Sequence, residues 1–144
     1  MTLIVECNIL KLFKEMNTKG KEDAEVEGGY KKFDVVLVDF GEEILAGEQG
    51  GIRPAVIVQN NIGNRYSVST VVMPFTSQPK SLKQSTHSLF PANEKYGLTK
   101  DSYLLGECIR QASERRIIKK MGTISDNAGR EEVKRVYFSN WGND

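Results

Sequence analysis

Gly47-Glu48-Gln49-Gly50-Gly51-Ile52-Arg53-Pro54-Ala55-Val56-Ile57-Val58-Gln59-Asn60 changes character halfway along. Gly47, Gly50 and Gly51 make a loop whose backbone can approach a ligand closely, and the loop delivers a guanidinium, Arg53, to the start of an apolar run. That run, 54–59, has the length and β-branched content of a buried strand, and Pro54 can open it without losing a ladder donor. Upstream, residues 33–40 are Val-rich and alternate, which predicts the strand before the loop. Downstream, 67–75 is again β-branched. Gly63-Asn64 predicts a tight connection between those two strands, and Pro74 predicts an edge or a bulge. The glycine loop is no phosphate cradle, because it lacks Gly-Lys-Ser/Thr and a strand, not a helix, follows it. Its plain structural alternative is a surface hairpin closed by an Arg53–Glu48 ion pair.

Residues 86–90, 102–109 and 122–124 are weaker strand candidates. Ser113 is placed to cap a basic helix running through Lys120, and Asp126 to cap a last helix that buries Val133, Val136, Tyr137 and Trp141. Strands dominate, so the expected fold class is mainly β: a small antiparallel barrel with peripheral helices. At the other end, Ile9, Leu12, Phe13 and Met16 recur at helical spacing, and residues 17–29, rich in Gly, Lys and Glu, read as a linker. The expected division is an N-terminal helix and flexible linker over 1–29 and one compact domain over 30–144.

The chain's 144 residues leave room for one core. With 39% hydrophobic and 27% charged residues and a mean hydropathy of −0.41, it reads as globular. The longest apolar runs, 35–38 and 55–58, are far short of the roughly 20 residues of a membrane span. Cys7 and Cys108 stand a hundred residues apart with no Cys or His at ligand spacing, so no structural zinc site and no cofactor are expected. The first ten residues include Glu6 and Asn8 and offer no cleavage site, which predicts a cytoplasmic protein with reduced thiols. The formal charge is +1, yet it is unevenly spread. Residues 1–30 carry four Lys against six acids, a net of −2, and residues 79–120 carry nine bases against four acids, a net of +5.

Besides the glycine loop, Pro74-Phe75-Thr76-Ser77-Gln78 brings two hydroxyls and an amide together where the third strand ends. A Ser/Thr turn explains that cluster equally well. His87 is the sole histidine; no Gly-Xaa-Ser-Xaa-Gly elbow accompanies it, so a solvent-facing ring is expected rather than a triad.

Taken in order, residues 33–40, the Gly47–Asn60 stretch quoted above, Gly63-Asn64-Arg65-Tyr66-Ser67, the Thr76-bearing strand end, Thr86-His87 and Asp101-Ser102-Tyr103-Leu104-Leu105-Gly106-Glu107-Cys108-Ile109-Arg110 resemble the MazF/PemK family of toxin endoribonucleases. The resemblance runs over about 31–138; Gly47 precedes Glu48 where the family usually has Ser. It implies an SH3-like barrel with a C-terminal helix. It further implies a homodimeric toxin that cuts single-stranded RNA without metal and is silenced by a cognate antitoxin with an acidic, disordered tail. By position, Arg53 and Thr76 correspond to the residues on which cleavage depends, and Glu48 to a loop carboxylate. Gln49, Asn64, Ser77, Gln78, Lys80 and His87 are expected around the substrate. The terminal Trp141-Gly142 is similar to the end of the CcdB gyrase poisons, which share this fold, so a gyrase-binding toxin is the alternative, with a non-catalytic binding barrel as the third.

Overall fold

The computed structural model describes residues 29–42 and 45–143. The amphipathic helix expected over 9–16 and the linker up to residue 28 lie outside them. Seven strands follow one another: β1 (Asp34–Asp39), β2 (Ile52–Ile57), β3 (Ser69–Thr76), β4 (His87–Phe90), β5 (Ser102–Leu105), β6 (Arg110–Ser113) and β7 (Ile117–Thr123). A short helix α1 (Asn61–Tyr66) joins β2 to β3, and helix α2 (Asn127–Ser139) closes the described chain. All pairings are antiparallel, in the order β4-β5-β3-β2-β1-β7, with β6 added to β3. The mainly β architecture with a C-terminal helix is therefore the one expected.

The Val-rich strands are buried on both faces, because alternate side chains enter two separate cores. Val35, Val56, Met73 and Phe75 point toward α2 and join Leu104, Val133 and Val136. Val36, Val38, Ala55, Ile57 and Val72 form the second core with Ala112 and Ile117. Asp126 caps α2, its carboxylate accepting from the Gly129 amide at 2.9 Å. Among the described residues, no helix is long and apolar enough to cross a membrane.

Five local expectations are corrected. The stretch after Ser113 is not a basic helix. Ser113 caps one 3-10 turn, Glu114–Arg116, and the chain then adds to the open edge of β1 as β7. A helix there would have only the adjacent Ile117 and Ile118 to bury, on no common stripe, whereas β1 has an unpaired side to offer. The expected strand over 102–109 stops at Leu105: β5 gives way to a 3-10 turn, Gly106–Cys108, whose Gly106 packs so close to α2 that an added Cβ would lie 2.8 Å from Val136 Cγ1, and β6 starts only at Arg110. The Gly63-Asn64 connection is helical because Asn60 caps it, accepting from the Gly63 amide. Pro74 lies inside the sheet, paired with Ala55 of β2. On its other side β3 changes partner, from β6 up to Val72 to β5 from Phe75, so a missing N–H falls in the gap between ladders. Finally, α2 buries Gly129, Val133 and Val136 at i, i+4 and i+7, which leaves Tyr137 41% and Trp141 85% exposed.

Candidate functional site

Arg53 is the second residue of β2 and Thr76 the last of β3. The β2–β3 register pairs Ala55 with Pro74. Continued two residues toward the loop, it sets Arg53 opposite Thr76, so the two side chains share one face. Both line a cleft of about 380 Å³. Ser77 and Gln78 line it too, and Gly97, Thr99, Lys100 and Ser102 form its far wall.

The guanidinium is held rather than left to wander. Its Nε donates to the Gly50 carbonyl at 2.9 Å and its Nη1 to Gln49 Oε1 at 2.7 Å. Nη2 has no hydrogen-bond partner among the described residues, so one edge of the planar fork remains to meet an anion. No carboxylate among the described residues is within ion-pair distance of Arg53, so the hairpin is not closed by an Arg53–Glu48 pair. Glu48 instead accepts from the Leu45 amide at 3.1 Å, folding the loop tip on itself. Gly51, at φ 75, donates its amide to the Gly41 carbonyl and fixes the loop's base. Thr76 is 7% exposed, and its Oγ1 accepts from the Gln78 amide at 3.2 Å.

On the other side of the loop lies a second cleft of about 410 Å³, lined by Glu48 and Gln49 with Glu107, Cys108, Arg110 and Arg116. Burial, seconded by Glu107, pushes the Cys108 thiol up against the opposing charges of Lys80 and Arg53. Burial also raises Glu107, but hydrogen bonds from His87, its own backbone and Thr86 outweigh that and leave it below the usual carboxylate range.

His87 is not solvent-facing: it is 6% exposed, with Nδ1 at 2.8 Å from the Ser81 carbonyl oxygen and Nε2 at 2.6 Å from Glu107 Oε1. It pins the loop that carries Gln78 and Lys80. Asn64 is engaged far from the cleft, its Oδ1 accepting from Thr70 Oγ1 at 2.7 Å and from Gln59 Nε2 at 3.0 Å. The structure thus gathers Arg53, Thr76, Ser77 and Gln78, sets Glu48 and Gln49 across the loop, and leaves Asn64, Lys80 and His87 outside the first cleft. The wall residue missed from sequence is Lys100, whose only signal was its place just before the Asp101-Ser102 motif.

That wall is built by backbone contact. Gly97 and Gly122 pass so close that a Cβ on Gly122 would sit 2.4 Å from the Lys95 carbonyl oxygen. Tyr96 donates its hydroxyl to Asp126 at the start of α2, and burial first, then that bond, pushes its phenol up to about 12.

Comparison with known proteins identifies the family. Residues 31–136 match the family described as PemK-like, MazF-like toxin of type II toxin-antitoxin system. Endoribonuclease EndoA of Bacillus subtilis is 36% identical over 96 residues, 67% of this chain and 81% of that protein. Endoribonuclease MazF of Staphylococcus saprophyticus is 39% identical over 109 residues, 76% of this chain and 89% of that protein. Among solved structures, MazF from Deinococcus radiodurans superposes with a TM-score of 0.63 at 20% identity, over 80% of this chain and 98% of that one. An endoribonuclease in complex with its cognate antitoxin, from a mycobacterial species, gives the same TM-score at 16% identity, over 80% and 97%.

Proposed function

The chain belongs to the PemK-like, MazF-like toxin family of type II toxin–antitoxin systems, and from that premise we propose that it cuts single-stranded RNA by making the RNA's own ribose the nucleophile. The observation that carries the mechanism is the shared cleft of Arg53 and Thr76. A ribose 2′-hydroxyl is tethered to the phosphate beside it, so positioning and charge stabilisation count for most of what an enzyme must add. The 2′-oxygen bonds to phosphorus, the bond to the 5′-oxygen breaks, the leaving 5′-oxygen takes a proton from water, and the products are a 2′,3′-cyclic phosphate and a 5′-hydroxyl. Arg53, braced through Nε and Nη1, presents its remaining donors to the phosphorane oxygens. Thr76 donates its hydroxyl to the same oxygens. Glu48, across the loop, takes the 2′-hydroxyl proton when the strand crosses from one cleft to the other. Ser77, Gln78 and Lys100 border the bases next to the cut.

The test is an RNA carrying a single deoxynucleotide just 5′ of the scissile phosphate, run with a chelator beside the all-ribose strand. The expected result is cleavage of the all-ribose strand only, in chelator, with cyclic phosphate ends. Cutting of the deoxy strand, or a need for added Mg²⁺, would mean that water is the nucleophile and overturn the mechanism. A gyrase-binding toxin would cut neither strand, and a binding barrel would retain RNA uncut.

As partners we infer a second copy of the chain and an antitoxin with an acidic tail, held by the basic surface of 79–120. Antitoxin affinity then falls as salt rises. The homodimer does not rest on the last helix, since the chain's own strands already cover Val133 and Val136. Sedimentation at micromolar concentration decides it, a monomer counting against.

A further inference from the structure

Away from the RNA site, a groove of about 670 Å³ runs between α2 and the far end of the sheet. Its floor is apolar, made by Phe33, Val58, Val71 and Val133, and its rim carries the exposed rings of Tyr137 and Phe138. Lys32, Arg130 and Lys134 stand around it against a single lining acid, Glu131. Two of those cations sit over the Phe33 ring, Arg130 at 4.7 Å and Lys32 at 5.3 Å from its centroid. Phe33 itself has φ 75, a left-handed backbone that a bulky residue rarely adopts. The surroundings hold it there: its amide donates to the Ile57 carbonyl, the Lys31 amide donates to Asp34 Oδ2, and the Lys32 amide donates to Asn61 Oδ1. The chain upstream of residue 31 leads off beside the start of β1, with Tyr30 packed on the second core on the opposite sheet face, so the leader has to round the end of the sheet to reach the groove.

We propose that the groove is the docking site of the chain's own first 28 residues. Their chemistry is complementary to it. Ile9, Leu12, Phe13 and Met16 supply an apolar stripe for the floor and rim, and Glu22, Asp23, Glu25 and Glu27 come just before the anchored turn, where the three cations stand. Reach is sufficient: the twelve residues 17–28 span up to about 40 Å, more than three times the roughly 12 Å length of an eight-residue helix. The docked segment leaves the RNA cleft open. Val35 pairs with Val56 near the groove and Val38 with Arg53 near the cleft, so the two lie at opposite ends of β1. The inference therefore stands independently of the cleavage mechanism.

Hydrogen exchange read by mass spectrometry on the full chain tests it, comparing the wild type with Leu12→Asp/Phe13→Asp and with Tyr137→Ser/Phe138→Ser. In the wild type, amides of 9–16 should exchange about tenfold slower than an unstructured peptide. Either double variant should abolish that protection, and the leader variant should also speed exchange in 30–33 and 127–139. Equal exchange in all three proteins overturns the proposal. So does protection that disappears on dilution to monomer, because a second copy would then be the occupant.

Discussion

The two clefts flanking the glycine loop are close in size, about 380 and 410 Å³, and opposite in chemistry. The first has Arg53, Lys100 and hydroxyls, with no acid among the described residues that line it. The second holds two carboxylates, a raised thiol and two arginines. Charge that develops on a phosphate is stabilised where donors meet no competing carboxylate, so only the first is suited to the transition state. The second is suited to proton transfer and to holding the loops in place. Gln49 links them, lining one cleft and bracing the guanidinium of the other.

The sharpest way to break this contrast is to delete the first cleft's donors. Arg53→Ala and Thr76→Val should each lower the cleavage rate about 10²–10³-fold, equivalent to about 2.7–4 kcal/mol, with melting temperature unchanged. Losses under tenfold in a folded protein would move the chemistry elsewhere. Next comes the cleft wall. Gly122→Ala forces backbone against backbone at Lys95 and should cost about 1–3 kcal/mol of stability, read by urea denaturation. A neutral result would mean the wall is pliable. For the second cleft, Glu48→Gln should slow cleavage by about tenfold only, since the carboxylate is exposed and water can take over the proton. A loss as deep as that of Arg53→Ala would erase the distinction between the clefts.

The smallest effect concerns His87 and Glu107. The folded-state carboxyl titrates below its unfolded value, so the stability it lends is present above the ordinary carboxylate range and is lost as pH falls through the folded value. His87→Ala should cost about 1 kcal/mol at neutral pH and flatten the acid limb of a stability profile. An acid limb identical to that of the wild type would show that the clamp on the loop does not depend on this pair.

How far the sequence could be read follows from where each piece of information lies. Strands buried on both faces announce themselves as runs such as Val35 to Val38, and Arg53 and Thr76 were legible because each sits where such a run meets a loop. β7 was not legible. Its outer residues Ile118, Lys119 and Lys120 are all exposed, so no period-2 pattern marks it, and only the unpaired side of β1 calls for it. The burial of His87 and the wall at Lys100 depend on β4 and β5 folding back beside β3, a relation with no local signature. The proximity of Arg53 and Thr76 in the chain's pattern did not reveal that Glu48 faces away, because that turns on the Leu45 amide at the loop tip.

β7 also ends the sheet, hydrogen-bonded to β1 and to no further strand among the described residues. A free strand edge is a template on which other chains can grow, and adjacent lysines in its middle make each added copy repel the last. Lys119 and Lys120 place positive charge on the stretch of that edge that residues 95–97 do not cover, and Lys120 also pairs with the buried Asp34 at 3.3 Å. Replacing Lys119 by Val would leave that ion pair intact while joining Ile117 and Ile118 into a longer β-prone segment. The cost of such a change would fall on how concentrated the protein can be kept before it precipitates.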